Sequence, residues 1–228
     1  MKRIKAISSV TLIIFALLVA IKATNPVANP KWGPLNAGGL TFPLLRVGST
    51  SVYDPISNTM ILFAGASADV SLGNPRLNDV WVLTNANGLG GTSDWSKLDP
   101  TGAPPVRERH SAVYDAVNNR MIIYGGCGGI PQNGCFPIAD DVWVLDHANG
   151  VGGTPTWTQL FPTGARLGAR QGHQAVYDSN TNSMIVWAGQ NGGGQACSPG
   201  TYSDVWVPQP LPPPFWPAQT IIELVLGS

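Results

Sequence analysis

Charge is scarce in this chain. Charged residues make up 11% of 228 positions, roughly half the usual share of about 25% in soluble domains. Neither sign is in excess, because 13 Lys and Arg balance 13 Asp and Glu. A neutral chain lacks the basic stripe that neutralises nucleic-acid phosphates. It also lacks the cationic surface that docks on anionic membranes. Cysteine is rare and odd in number, with Cys127, Cys135 and Cys197, so one thiol at least stays unpaired within the chain. Histidine occurs three times, and no His-x-x-x-His, Glu-x-x-His or paired-Cys spacing offers a metal site. There is no Gly-x-Ser-x-Gly and no phosphate loop. Helical periodicity is missing throughout the body of the chain.

What is abundant is turn chemistry, with 27 Gly and 20 Pro. The N-terminus is a separate matter. Lys2, Arg3 and Lys5 precede an apolar run from Val10 to Ile21, and Ala20 and Ala23 are small enough for cleavage. This is the pattern of a secretory signal peptide over residues 1–23, which implies a secreted or extracytoplasmic protein. The alternative is an uncleaved anchor helix, for which the run is short and is closed by Lys22. No Cys follows to carry a lipid. Export permits disulfides.

Three stretches align: RVGSTSVYDPISNTMILFAG from Arg46, RERHSAVYDAVNNRMIIYGG from Arg107, and RQGHQAVYDSNTNSMIVWAG from Arg170. Tyr53, Tyr114 and Tyr177 set the register. Asp54, Asp115 and Asp178, then Asn58, Asn119 and Asn182, then Met60, Met121 and Met184 keep it. A second block, NDVWVL, DDVWVL or SDVWVP, carries Trp81, Trp143 and Trp206, and a third carries Trp95 and Trp157 in two repeats. Each repeat reads as four short strands, a to d. Strand a is SAVYD-like and ends in an Asp/Asn turn, where those side chains bond nearby backbone. Strands b and c are apolar at every position, as expected of strands buried on both faces. Strand d alternates. The Gly-rich hairpins NANGLGG (85–91) and HANGVGG (147–153) join c to d.

Four antiparallel strands per repeat describe a β-propeller blade. The order Arg-x-x-His before strand a, Gly125-Gly126 after strand b, a DVW strand and a Trp strand resembles kelch repeats. The spacing and the NANGxGG hairpin are similar to bacterial secreted kelch proteins that resemble the central domain of galactose oxidase. The resemblance covers residues 31–207 and implies an all-β, kelch-type β-propeller of about three four-stranded blades, at about 46–99, 107–160 and 170–207. Ser49 departs from His110 and His173, and Ala64 and Ala188 depart from the Gly doublet.

Residues 31–36 look like an orphan outer strand d. Lys31-Trp32-Gly33-Pro34-Leu35, Gly38 and Arg46 match Asp94-Trp95-Ser96-Lys97-Leu98, Gly102 and Arg107. The third repeat lacks strand d. In the resembling propellers the N-terminal strand completes the last blade. Three blades are fewer than the four to eight that propellers use. Either the chain is a truncated member of a longer family, or a homodimer of two three-blade halves completes a ring. Residues 208–228 form a Pro-rich tail outside the repeat, either native or the product of a shifted frame.

Repeated residues carry structural roles first. His110 and His173 read as strand-start residues bonded to local backbone. Arg46, Arg107 and Arg170 read as structural arginines bonding carbonyls or an Asp of the adjacent blade. The turn Asp residues are spread from blade to blade and do not converge as catalytic carboxylates must. Tyrosines and histidines give no copper-radical constellation, so the resemblance to galactose oxidase carries over the fold and neither metal nor cofactor. Cys127 and Cys135 are expected to pair across one b–c loop, and Cys197 looks like a remnant. Loops 66–78, 127–140 and 190–203 share one face, where binding usually resides. Arg76, Gln132, Asn133, Phe136, Gln195 and Tyr202 are the candidate ligand-binding residues. The expectation is an exported, non-enzymatic propeller that binds a protein or a glycan. The alternatives are a fragment of a secreted oxidase- or lyase-type enzyme whose site lies in other sequence, and a gene remnant without a folded product.

Overall fold

A computed structural model describes residues 33–69, 71, 73, 75–129, 137–162, 167–192 and 200–206. The chain divides into two units, 1–34 and 35–228, and every strand lies in the second. Residues 1–23, expected to be a signal peptide, Trp32 and the tail 208–228 lie outside the described residues.

Among the described residues, twelve strands form three antiparallel sheets, one per repeat. The first holds β1 (Arg46–Val47), β2 (Thr50–Asp54), β3 (Thr59–Ser67), β4 (Arg76–Leu83) and β5 (Trp95–Leu98). The second holds β6 (Ser111–Asp115), β7 (Arg120–Tyr124), β8 (Val142–Asp146) and β9 (Thr156–Leu160), hydrogen-bonded in chain order. The third holds β10 (Gln174–Asp178), β11 (Ser183–Trp187) and β12 (Val205–Trp206). Sheets follow one another in chain order, with β2 beside β6 and β6 beside β10.

Two hydrophobic layers fill the spaces between sheets. Ile61, Phe63 and Val82 meet Met121, Ile123, Leu145 and Trp157 in the first layer. In the second, Val113, Ile122, Tyr124 and Val144 meet Met184 and Val186. The middle sheet is therefore covered on both faces, which is why β7 carries an unbroken apolar run instead of an alternating one. Burying each such side chain contributes about 1.5–3 kcal/mol.

The Asp/Asn turns behave as their chemistry dictates. Asp115 Oδ1 accepts from the N–H groups of Val117 (3.1 Å) and Asn118 (3.2 Å). Asn58, Asn119 and Asn182 take the left-handed backbone, each with φ 53°. The Asn119 amide then does a second job. Its Nδ2 donates to Asn149 Oδ1 (2.6 Å) and to Val151 O (3.0 Å), and its Oδ1 accepts from Tyr114 Oη (2.9 Å). Asn58 braces Asn87 and Leu89 in the same way. So the Asn before Gly in NANG and HANG, Asn87 and Asn149, ties the c–d hairpin to the a–b turn. Asn119→Ala combines a left-handed Ala with the loss of these bonds, and should cost about 2–3 kcal/mol in urea unfolding. Asn119→Gly keeps the backbone and should cost about 1 kcal/mol. Equal losses would mean that backbone conformation contributes nothing at this position.

Each repeat carries an internal Arg–Asp–Trp cluster. Arg107 donates to both Asp141 oxygens (2.7 and 2.8 Å) and to Gly125 O, and Trp143 Nε1 donates to Asp141 (2.7 Å). Arg46–Asp79–Trp81 and Arg170–Asp204–Trp206 repeat it. These pairs close within one sheet, so the expected Asp of the adjacent blade is corrected to the Asp of the same one. Burial pushes the Asp79 and Asp141 carboxyls up, but arginine and tryptophan donors hold both below the usual carboxylate range.

The histidines join sheets instead. His110 Nε2 lies 2.6 Å from Thr50 Oγ1, and His173 Nε2 lies 2.7 Å from Ser111 Oγ. Local backbone bonding was expected for them. The observed partner is a hydroxyl at the head of strand a in the preceding sheet, because the ring is folded inward against that sheet's aromatic. His110 sits edge-on to Phe63 at 5.2 Å, and His173 to Tyr124 at 5.3 Å.

Candidate functional site

The segments before each strand a and the loops between strands b and c extend the sheets toward one end. Bridges pair Glu108 with Cys127, Cys127 with Ile138, Gln171 with Gln190, and Gln190 with Thr201. Consecutive sheets are also stitched through the backbone. Arg109 N–H donates to Gly48 O (2.7 Å), and Gly172 N–H donates to Arg109 O (2.8 Å). These three residues hold equivalent positions with φ of 64°, 56° and 63°. Arg109 is the one that is not glycine. Left-handed backbone costs a side-chain-bearing residue about 1–2 kcal/mol, and such strain collects at functional positions.

Beneath this edge lies a polar cluster. Arg76 Nε and Nη2 donate to Glu108 Oε1 (2.9 and 2.7 Å), and Nη1 donates to Gly128 O and Gly129 O. The side chains are only 3% and 9% exposed. Arg76 belongs to β4 and not to a free loop, and its guanidinium is engaged by a carboxylate and two carbonyls. Its place as a loop ligand residue is therefore corrected to a tie between the first and second sheets. Buried Cys127 is disulfide-bonded. Its sulfur lies 3.5 Å from Gln171 Oε1 and 3.9 Å from Glu108 Oε1. Gln171 Nε2 donates to Gly192 O (2.8 Å).

Three polar residues reach outward from this end. The Arg109 side chain is 51% exposed, with Nη1 3.5 Å from Gln171 Oε1. Tyr202 lays its ring 4.1 Å from the Arg170 guanidinium, and its hydroxyl accepts from exposed Asn191 Nδ2 (3.1 Å). Gln132, Asn133, Phe136, Gln195 and Cys135 lie outside the described residues. Of the sequence-derived candidates, Tyr202 thus stands at the surface of this end, while Arg76 is interior. Sequence reasoning missed Arg109. Its signal was a bulky residue in a column where the other two repeats have glycine.

Hydroxyl–imidazole pairs suggest nucleophilic chemistry only where substrate can reach them. Ser111 and His173 are 5% and 3% exposed, and His110 is 3% exposed. Nδ1 of either ring meets no orienting carboxylate and has no hydrogen-bond partner among the described residues. The pairs recur at successive sheet boundaries, which is the behaviour of a structural clip. Burial, with like charge from Arg107, pushes the His110 pKa down to about 3. Burial, with Arg170, pushes His173 down to about 4. Both rings are neutral at pH 7. Among the described residues no group of three or more His, Cys, Asp or Glu is placed to hold a metal ion.

No family model matches the chain. Human host cell factor 1, a kelch-repeat protein, is 30% identical over 156 residues, which cover 64% of this chain and 7% of that protein. Rat and mouse host cell factor 1 align over the same length at the same identity. The aligned region thus spans a small part of these curated relatives. Among solved structures, YjhT superposes with a TM-score of 0.48 at 18% identity, covering 72% of this chain and 43% of that one. A fungal alcohol oxidase of the AA5 family in complex with copper superposes with a TM-score of 0.48 at 15% identity, covering 72% and 31%. With its three repeat-built antiparallel sheets, the chain is an all-β protein of the kelch-type β-propeller fold.

Proposed function

We propose that this chain is an exported binding module, without catalytic chemistry, that engages a protein or a glycan through the end carrying the b–c loops. One observation carries the reading. The groups that chemistry would need, the histidines and the repeated Asp and Arg residues, are engaged within or between sheets, whereas the Arg109 side chain and Asn191 are exposed at the loop end, where Asn191 donates to the half-buried Tyr202 hydroxyl. An exposed guanidinium, an amide and a phenol suit carboxylate, carbonyl or sugar hydroxyl partners. Pairing of Cys127 with Cys135 would pin the loop beside Gln132, Asn133 and Phe136 and fits an oxidising compartment.

The full chain should be screened on a glycan array and on an array of extracellular protein domains. Arg109→Ala/Tyr202→Ala should weaken the hits at least tenfold. Val117→Ser, on an exposed a–b turn at the other end of its sheet, should leave them unchanged. Hits that ignore the double variant, or no hits on either array, overturn the loop-end reading.

A further inference from the structure

The boundary between sheets is a repeated interface with two distinguishable sides. The preceding sheet offers the strand-a valine, the aromatic that ends strand b, and the turn Asp. The following sheet offers the strand-a Tyr, the strand-d Trp, and the Asn before the first Gly of the c–d hairpin. Between the first two sheets, Phe63 packs on Trp157 at 4.8 Å, and Asp54 accepts from Asn149 (2.8 Å) and lies near Tyr114, whose own hydroxyl donates to Asn119. Tyr177, whose hydroxyl donates to Asn182, lies near Asp115 in the same way.

Each end of the series displays one half of this interface without the other. On the third sheet Val176 is 60% and Trp187 53% exposed, while their equivalents Val113 and Tyr124 are 5% and 3% exposed. Val205 is exposed on the same strand column as buried Val80, and Asp178 is only half-buried where Asp54 and Asp115 are buried. On the first sheet Tyr53 is 44% exposed and Trp95 is half-buried, whereas Trp157 is 4% exposed. The backbone shows the same open halves. Gly65 N–H donates to Arg107 O and Gly126 N–H to Arg170 O. Gly189 stands third in that series, with no following sheet among the described residues.

Strand d supplies the second observation. Leu35 and Gly38 sit against the first sheet as Leu98 and Thr101 sit against the second. Gly38 bridges Asp94 in parallel, as Thr101 bridges Thr156. Trp95 N–H donates to Gly38 O, as Trp157 N–H donates to Thr101 O. Leu35 Cδ1 lies 3.3 Å from the side-chain direction of Gly88, as Leu98 Cδ2 lies 2.9 Å from that of Gly150. So Leu35 and Gly38 hold, beside the first sheet, the place that Leu98 and Thr101 hold beside the second. The third sheet has strands a, b and c and, among the described residues, no d.

We propose that the open face of the third sheet docks the first sheet of a second copy of this chain, head to tail, so that Leu35 of each copy comes to lie against β12 of the other, as Leu98 pairs with Val80 of β4. Joined twice about a two-fold axis, two copies bring together six sheets, inside the range of about four to eight that propellers use. Trp187 then meets Trp95 of the second copy as Phe63 meets Trp157, and Asp178 meets its Tyr53 and Asn87. The docking also covers the edge of β12, which pairs with no further strand among the described residues and is a liability when left open.

Light scattering on the full chain should give a discrete species of twice the 24.0 kDa chain mass. Trp187→Glu and Tyr53→Glu should each give a single-chain mass with an unchanged circular dichroism spectrum. An equimolar mixture of the two should regain the doubled mass, because one of its two interfaces keeps both native faces. If Trp187→Glu loses its spectrum, Val176→Lys on the same face takes its place. A single-chain mass for the wild type, or an open-ended series of larger species, overturns the proposal. So does a Tyr53→Glu variant that stays doubled, which would mean pairing of third sheets face to face.

Discussion

Arg76→Met should destabilise the protein by about 3–5 kcal/mol, and Arg76→Met/Glu108→Met should recover most of that loss. The single variant strands the Glu108 carboxylate in a site where its side chain is 9% exposed. An unpaired buried charge is far more costly than a buried pair is helpful. Arg109 Nε stands 4.0 Å from the second Glu108 oxygen, but its side chain is half exposed and spends its attraction in water. Gly128 O and Gly129 O lose a donor as well. In the double variant two thioethers fill a similar volume and leave no charge behind. Urea unfolding of wild type, both single variants and the double variant gives the coupling between the two sites directly. If the two single losses simply add, the Arg76–Glu108 pair is not what joins the first and second sheets at this end.

Why Arg76 was misplaced by sequence reasoning is instructive. Tyr53, Tyr114 and Tyr177 set a register that located the strands well, because each column is filled in every repeat. Tyr114 and Asn119, five residues apart and bonded in the turn, belong to such columns. Arg76 and Glu108 do not. Each stands once, where the other repeats have Ile138 and Thr201, or Val47 and Gln171. A pairing of two unrepeated residues follows only from knowing that the start of strand c in one sheet touches the segment before strand a in the next. The arginine columns held a different signal. Arg46 and Asp79 are 33 residues apart, and both other pairs are 34 apart. From each Asp to the Arg of the next repeat the separation is as constant, 107 − 79 = 28 and 170 − 141 = 29, so spacing alone could not choose between a partner in the same sheet and one in the next.

The histidine column was legible as structural, but its partner was not. The hydroxyl lies at the head of the preceding strand a, at Thr50 and Ser111, and the third sheet has Gln174 there. The first sheet, in turn, has Ser49 in place of histidine. Both departures fall on the two faces that no sheet covers among the described residues. A head-to-tail second copy would set Ser49 beside Gln174, a pair that does not titrate. That leaves His110 and His173 as the histidines at the sheet boundaries.

Acid should loosen these boundaries well above the pH at which carboxylates respond. His110 and His173 have folded pKa values of about 3 and about 4, against 6.5 for the free side chain. The unfolded chain therefore takes up their protons first. The stability that neutral burial confers is complete above about pH 6.5 and is lost as pH falls toward the folded values. Asp79, Asp141 and Asp204 are held low by their arginine partners, and their contribution begins to fall only near their ordinary value of 3.8. The window between about pH 6 and pH 4.5 thus belongs to the two rings. There, each histidine contributes a slope approaching about 1.4 kcal/mol per pH unit, or about 2.7 for both. His173→Asn removes one titrating group along with its ring contact to Tyr124. Stability at pH 7.5 should drop by about 1–2 kcal/mol, and the slope across the window should halve. The doubled state should loosen no faster than the chain itself unfolds, because no histidine faces the Ser49 and Gln174 boundary. A wild-type slope near zero, or one that His173→Asn leaves unchanged, would show that these rings are not the neutral, desolvated clips that their hydroxyl partners and buried positions imply.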